Sequence, residues 1–139
     1  MNNVSSYSSK DTIIIISIII VFLAVFFVFY TEILKNQKIR NSKNNFDFVT
    51  KELFKEVNQC EEKKKSWLFG ISCEQKPTKK IIIDYFNKTK KLTNPHDGYE
   101  GVGGGSGSVQ VYIKNKLIFL SIDVDANGGI DINRSIRFD

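Results

Sequence analysis

The amino-acid sequence predicts an α+β fold in which a long N-terminal helix precedes a small antiparallel sheet. From Ile13 to Tyr30 the residues are apolar or aromatic except for Ser17. Apolar residues then recur every three or four positions, and beyond Val109 they alternate with polar residues instead. A length of 139 residues allows one small domain, which excludes large folds such as a (β/α)8 barrel.

The apolar run is long enough to cross a membrane. As a helix, about 18 residues span about 27 Å, close to the ~30 Å hydrocarbon core of a bilayer. Apolar side chains cover every face, unlike those of a core helix, and Ser17 can bond to the carbonyl four residues back. A cleaved signal peptide fits poorly, since only Lys10 precedes the run and no small-x-small site follows Tyr30. We therefore expect a leader at residues 1–11 and a transmembrane helix at residues 12–30.

Two signals disagree on which side of the membrane the rest of the chain lies. Four basic residues closely follow the run: Lys35, Lys38, Arg40 and Lys43. They favour the cytoplasm by the positive-inside rule, and they also suit anionic lipid. Cys60 and Cys73 enclose about 12 residues, a loop suited to a disulfide worth about 3 kcal/mol, and an oxidising compartment preserves such a bond. We expect a single-pass protein of the inner (cytoplasmic) membrane with an extracytoplasmic C-terminal domain, while the opposite orientation stays open.

The helix is expected to continue beyond the membrane as an amphipathic extension over residues 31–59. Its apolar residues recur at spacings of three and four: Phe46, Val49, Leu53, Phe54 and Val57. The alternative is a break near Asn44 and Asn45, within a polar stretch. Residues 60–139 then form the α+β domain.

The first part of that domain is the cysteine loop, followed by a short helix. Trp67, Leu68 and Phe69 are expected to fold back on the long helix. Pro77 and Thr78 predict the start of an amphipathic helix, because a threonine side chain can cap the first free N–H groups.

The second part of the domain predicts three antiparallel strands. Val109–Ile113 alternates in polarity, residues 114–116 form a turn, and Leu117–Val124 returns as a second strand. Ile130–Phe138 adds an edge strand. Before them, residues 101–108 read GVGGGSGS, a flexible loop. This loop does not match a nucleotide-binding motif, since the last required glycine is Ser108 and a strand follows it.

The sharpest local motif is the D-x-D-x-N-G sequence that begins at Asp123. Carboxylate and amide oxygens at positions one, three and five of such a loop converge on calcium, and a glycine allows the sharp turn. The candidate ligands are Asp123, Asp125, Asn127 and Asp131. Arg134 stands at the twelfth position, where a calcium loop has glutamate. Two interpretations stay open, a calcium site and an Asp/Asn/Gly turn between strands.

No motif predicts catalysis or nucleic-acid binding. His96 is the only histidine, and no serine or cysteine stands in a recognisable nucleophile motif. The net charge of +5 comes from lysines scattered over several elements. We therefore expect a protein that is not an enzyme and binds neither nucleotide nor nucleic acid.

This order of parts resembles the type IV pilin and pseudopilin family. The similarity rests on the helix of residues 12–58, the turn at residues 92–98, the glycine loop, and the Asp-Asn-Gly turn at residues 122–129. The resemblance implies a structural subunit that packs against other pilin-like subunits through its N-terminal helix, with a periplasmic domain, as in type II secretion. It also implies calcium in the Asp-Asn-Gly turn, as in some pseudopilins.

The sequence departs from the family at the prepilin peptidase motif, which is not present: no acid lies within residues 13–30. Leader removal and the registration of subunits by a glutamate are therefore open. The alternative function is that of a bitopic membrane protein whose extracytoplasmic module binds calcium or a partner without any role in filaments.

Overall fold

The computed structural model describes residues 8–62 and 69–138 of the chain. Two compact units are present, Met1–Asn36 and Gln37–Asp139. The elements in chain order are helix α1 (Ser9–Glu61), helix α2 (Lys79–Asp84), a π-helical turn (Tyr85–Thr89), and strands β1 (Gln110–Lys114), β2 (Leu117–Ile122) and β3 (Ile132–Arg137). The prediction of a long apolar N-terminal helix followed by a small antiparallel sheet is confirmed.

Helix α1 begins at Ser9 because the preceding residue forms a capping box. The Lys10 N–H donates to Ser8 Oγ (3.4 Å), and the Ser8 N–H donates in return to Asp11 Oδ2 (3.3 Å). The helix therefore begins before Thr12, inside the segment expected as a leader. It extends for 53 residues and passes through Asn44 and Asn45 without the break that the sequence left open.

In the described part of the N-terminal unit, residues 9–36 are helical and every side chain is exposed, including those of the apolar run at residues 13–30. Its most apolar 18-residue window has a mean hydropathy of 3.3, and none of that window is buried. Ser17 donates its hydroxyl to the carbonyl of Ile13 (2.9 Å), as expected. Within the described residues, α1 is the one helix long and apolar enough to cross a membrane. A core helix would be buried, so its composition fits a membrane anchor or a signal sequence.

The core of the second unit lies between α1 and one face of the sheet. Phe46, Val49, Leu53 and Val57 share a helix face and are at most 2% exposed. The sheet has the order β1-β2-β3 with antiparallel neighbours. Its inner face contributes these buried side chains: Val111, Ile118, Leu120, Ile122 and Ile136. Alternation along the strands therefore turns every second residue toward this face, and on β3 the inner-face residue Arg134 stays exposed.

Turn chemistry sets the ends of the strands. Asn115 (φ 47°) and Lys116 (φ 62°) connect β1 to β2, and positive φ at both positions matches the tight hairpin turn that suits the twist of paired strands. The predicted turn is thus confirmed. Strand β2 ends at Ile122, shorter than predicted, because Asp123 already belongs to the following loop.

The short helix has the predicted cap and an unexpected second half. The Ile81 N–H donates to Thr78 Oγ1 (3.3 Å). The Lys90 N–H then donates to the Tyr85 carbonyl (3.1 Å), which widens the last turn to the π form. This turn buries both Tyr85 and Phe86.

The end of α1 is covalently tied to the segment before α2. Cys60 and Cys73 form a disulfide with a Cα–Cα distance of 5.3 Å, so the pairing expected from the sequence is present. Phe69 packs edge-on against Tyr85, with ring centroids 5.0 Å apart. Trp67 and Leu68, for which packing on α1 is expected, lie outside the described residues.

Adjacent residues of α1 provide a matched test of this core. Leu53→Ala removes a side chain that is fully buried, and we expect it to lower the free energy of unfolding by about 2–5 kcal/mol. Phe54→Ala removes a larger side chain that is 57% exposed, and we expect less than about 1 kcal/mol. Denaturant unfolding of the full chain in detergent measures both. Equal losses for the two variants would contradict the packing described.

Candidate functional site

The candidate site is the loop between β2 and β3, where three aspartates come together. Asp123 directly follows β2, and Asp131 directly precedes β3. Because these strands are neighbours, the two ends of the loop are held side by side. Carboxylate oxygens of Asp123, Asp125 and Asp131 all lie within 4.8 Å of one another. The structure thus brings together three of the four residues that the sequence singles out.

Main-chain amides hold these carboxylates in place. Asp123 accepts from the N–H of Gly128 (2.6 Å) and from that of Asn127 (3.1 Å). Asp131 accepts from the N–H of Val124 (2.8 Å), which closes the loop at its base. Gly128 has φ +97°, so a side chain there would strain the turn.

Asn127, the fourth candidate, presents its amide nitrogen to the cluster. Its Nδ2 donates to Asp125 Oδ2 (2.8 Å), while its Oδ1 accepts from the N–H of Gly129 (2.9 Å). In this arrangement the side-chain oxygen of Asn127 accepts from the main chain, and its nitrogen faces the carboxylates. Arg134, at the twelfth position, lies within β3 opposite Leu120. It therefore does not take the place that the bidentate glutamate has in a calcium loop.

Ser106, from the glycine loop, is a site residue that sequence reasoning missed. Its hydroxyl donates to Asp123 Oδ2 across 17 positions of sequence. The Asn94 amide donates to the Ser106 carbonyl (2.9 Å) and is itself buried. No local motif marks Ser106, because its role depends on a contact between two distant loops.

His96 links the same loops through a second contact. Its ring nitrogen Nε2 lies 2.8 Å from the Val124 carbonyl oxygen, and its main-chain N–H donates to Asn94 Oδ1 (3.0 Å). The only histidine of the chain is therefore a structural bridge between the turn at residues 93–98 and the aspartate loop. The sequence identifies His96 as the only histidine, but it does not reveal the contact with Val124, which lies 28 positions away.

Most glycines of residues 101–108 serve close packing, whereas the sequence predicts only a flexible loop: an added Cβ would come within 3 Å of another atom at four of the five, and only Gly105 has open space. A Cβ on Gly107 would lie 2.6 Å from His96 Cδ2, and φ is +85° there. A Cβ on Gly101 would lie 2.8 Å from the carbonyl carbon of Leu92. Both glycines are buried, so the segment needs small residues because other chain segments touch its backbone.

The polar stretch of α1 packs on these loops, which explains why the helix does not break there. Asn45 donates its amide to the Thr93 carbonyl (2.8 Å), and Lys38 Nζ donates to the His96 carbonyl (3.3 Å). Ser42 is fully buried beside them. Side chains that the sequence predicts to face solvent therefore donate hydrogen bonds to loop carbonyls.

The environment of Asp123 keeps it ionised. The Ser106 hydroxyl lowers the pKa of Asp123 most; partial burial opposes this, and the N–H groups of Gly128 and Asn127 lower it further, to about 2. A charged carboxylate beside those of Asp125 and Asp131 attracts cations.

The donor set fits a hard divalent cation such as calcium only in part. Calcium takes six to eight oxygen ligands at about 2.3–2.6 Å, and three carboxylates within 4.8 Å supply a beginning of that shell. Beside them lies a shallow cavity of about 370 Å³, lined among others by Ser106, Gln110 and Asp123. A cation at this cluster would need further ligands, such as water, to complete its shell.

Comparisons of this chain with protein-family models, with curated proteins and with solved structures found no match in any of the three.

Acid should weaken the loop through Asp123. Its pKa in the folded protein is about 2, below the usual 3.8, so its contribution to stability is complete above pH ~4 and is lost as the pH falls toward ~2. We expect the melting-temperature gap between the parent and Asp123→Asn to narrow over that range. Asp97→Asn, in another turn, serves as the control. A gap that stays constant down to pH ~2 would contradict the assignment.

Proposed function

We propose that this protein is a non-enzymatic, single-pass membrane-anchored structural subunit of the pilin-like or pseudopilin-like kind. The observation that carries the proposal is helix α1: residues 13–30 are apolar and exposed all round, whereas Phe46, Val49, Leu53 and Val57 pack on an antiparallel sheet. One helix of 53 residues thus contains both the apolar segment and the buried face on which the sheet packs.

The exposed apolar segment supports burial in lipid or against similar helices. Each large apolar side chain kept out of water contributes about 1.5–3 kcal/mol, and residues such as Phe22 and Phe26 are both 72% exposed. Phenylalanine, isoleucine and valine dominate this segment, and they suit the hydrocarbon core of a bilayer. Neighbouring copies would pack through the same surface.

The disulfide supports an extracytoplasmic position for the second unit, in the inner (cytoplasmic) membrane topology expected from the sequence. Cys60–Cys73 joins α1 to the segment before α2, and such bonds persist in oxidising compartments. Of the four basic residues that favour the opposite side, Lys38 donates to the His96 carbonyl. That contact gives Lys38 a role in the domain as well as near the membrane.

The orientation and the subunit role are tested together in intact cells. We expect a membrane-impermeant maleimide to label the protein only after reduction, because both thiols are in the Cys60–Cys73 disulfide. Cys60→Ser, which frees Cys73, should react without reduction. A new cysteine in the apolar helix, Phe22→Cys, should form oxidative cross-links between copies in membranes washed with alkaline carbonate.

The matched control for cross-linking is Asp97→Cys, in an exposed turn of the second unit. Labelling that requires cell lysis would overturn the extracytoplasmic orientation. Labelling from outside with no more cross-linking at Phe22→Cys than at Asp97→Cys would instead exclude lateral packing through the helix. A chain found outside the membrane without its apolar segment would favour a signal sequence.

A second candidate function has its own observation, the cluster of Asp123, Asp125 and Asp131. It is a bitopic membrane protein whose module binds calcium without any role in filaments. The three carboxylates would hold the ion, and the ion would stabilise the loop between β2 and β3 by neutralising their repulsion.

Calcium binding predicts a change in melting. For an extracellular-type dissociation constant of ~0.1–1 mM, calcium at ~10 mM should raise the melting temperature of the full chain in detergent by at least about 5 °C. Asp125→Asn combined with Asp131→Asn should abolish the shift. No shift with the parent, or an equal shift with the double variant, would exclude this site.

A further inference from the structure

Strand β3 leaves one edge of the sheet open. The order β1-β2-β3 puts β2 on one side of it, and no strand of the described residues lies on the other side. The Phe138 N–H donates to the Lys116 carbonyl, so Phe138 faces β2. Along an antiparallel strand, residues that bond to the neighbouring strand alternate with residues that do not. Residues an odd number of positions from Phe138, among them Asn133 and Ser135, therefore point their main-chain groups away from β2.

The other edge of the sheet is not open in the same way. Helix α2 packs against β1, and Val109, just before β1, pairs with Val102 in a parallel bridge. The β3 edge is therefore the place where a further strand can add to the sheet.

A groove runs along this edge and gives it side-chain specificity. Its volume is about 380 Å³, and it lies between one flank of α1 and β3. The lining residues are Asp47, Thr50, Lys51, Phe54, Arg134, Ser135 and Ile136. Phe54 is 57% exposed although it adjoins the fully buried Leu53, so it offers an apolar contact to a side chain entering the groove.

Charge indicates the composition of the occupant. Lys51 and Arg134 line the groove against the single acid Asp47, so an acidic side chain is favoured there. The strands of this domain read QVYIK, LIFLSI and INRSIR, and none contains an acid. Pairing of β3 with β3 of a second copy would also bring two arginine-bearing strands together, which is unfavourable.

We propose that the β3 edge and this groove, here called the β3 groove, bind an extended segment of a partner protein by strand addition. Main-chain hydrogen bonds form with Asn133 and Ser135, an apolar side chain of the segment contacts the exposed Phe54, and an acidic one pairs with Arg134 or Lys51. This site does not depend on the filament role or on calcium.

The test selects peptides of about eight residues, long enough to cover a strand, from a random displayed library on the full chain in detergent. We expect the selected peptides to alternate apolar and acidic residues. Their dissociation constants should rise at least tenfold with Ser135→Pro, which removes an outward N–H, and with Phe54→Ala. Arg134→Glu should also raise the dissociation constants of acidic peptides at least tenfold. Tyr112→Ala, on the opposite face of the sheet, is the matched control and should leave binding unchanged.

Comparison of the variants distinguishes a lost contact from misfolding as the cause of weaker binding. Ser135→Pro should keep its fold because an outward N–H makes no ladder bond; should its melting temperature fall, Phe54→Ala and Arg134→Glu decide the question. Failure to select any peptide, or binding that survives these changes, would overturn the proposal. A dimer of the parent chain that Ser135→Pro dissociates would assign the edge to a second copy and would overturn it as well.

Discussion

The packing of one face of α1 on the sheet is the contact on which the rest of the second unit depends. Phe46, Val49, Leu53 and Val57 form that face and are almost completely buried. Once the helix occupies it, its polar flank must meet the loops at residues 93–108, and its other flank forms the β3 groove. A single helix therefore carries the core, a polar junction and a binding surface on different sides.

The polar junction holds the loops at residues 93–108 to the helix and to one another through side-chain hydrogen bonds to main-chain carbonyls. Asn45 and Lys38 supply donors from the helix, Asn94 and His96 supply them from the turn, and glycines let the backbones approach. The aspartate loop is joined to this network through Ser106. Its carboxylates are therefore positioned by the same contacts that hold the domain together.

The fold could be predicted further than the site. Periodicity identified the helix and all three strands, since burial of one face imposes a period of 3.6 or 2 on any chain. Thr78 and the Lys114–Lys116 turn were found because caps and tight turns depend on adjacent residues. The widened turn at Tyr85–Thr89 was not found, because it depends on where Tyr85 and Phe86 meet the core.

The sequence by itself determined the apolar segment, the disulfide pairing that is present, and the cluster of aspartates, because each depends on composition or on short spacing. Only the tertiary structure decided that Ser106 bonds to Asp123, that Asn127 turns its nitrogen to Asp125, and that Phe54 stays exposed beside an open strand edge. These features join residues far apart in the chain or depend on the side to which a helix rotates. Local pattern does not contain that information, because it is set by the packing of the whole domain.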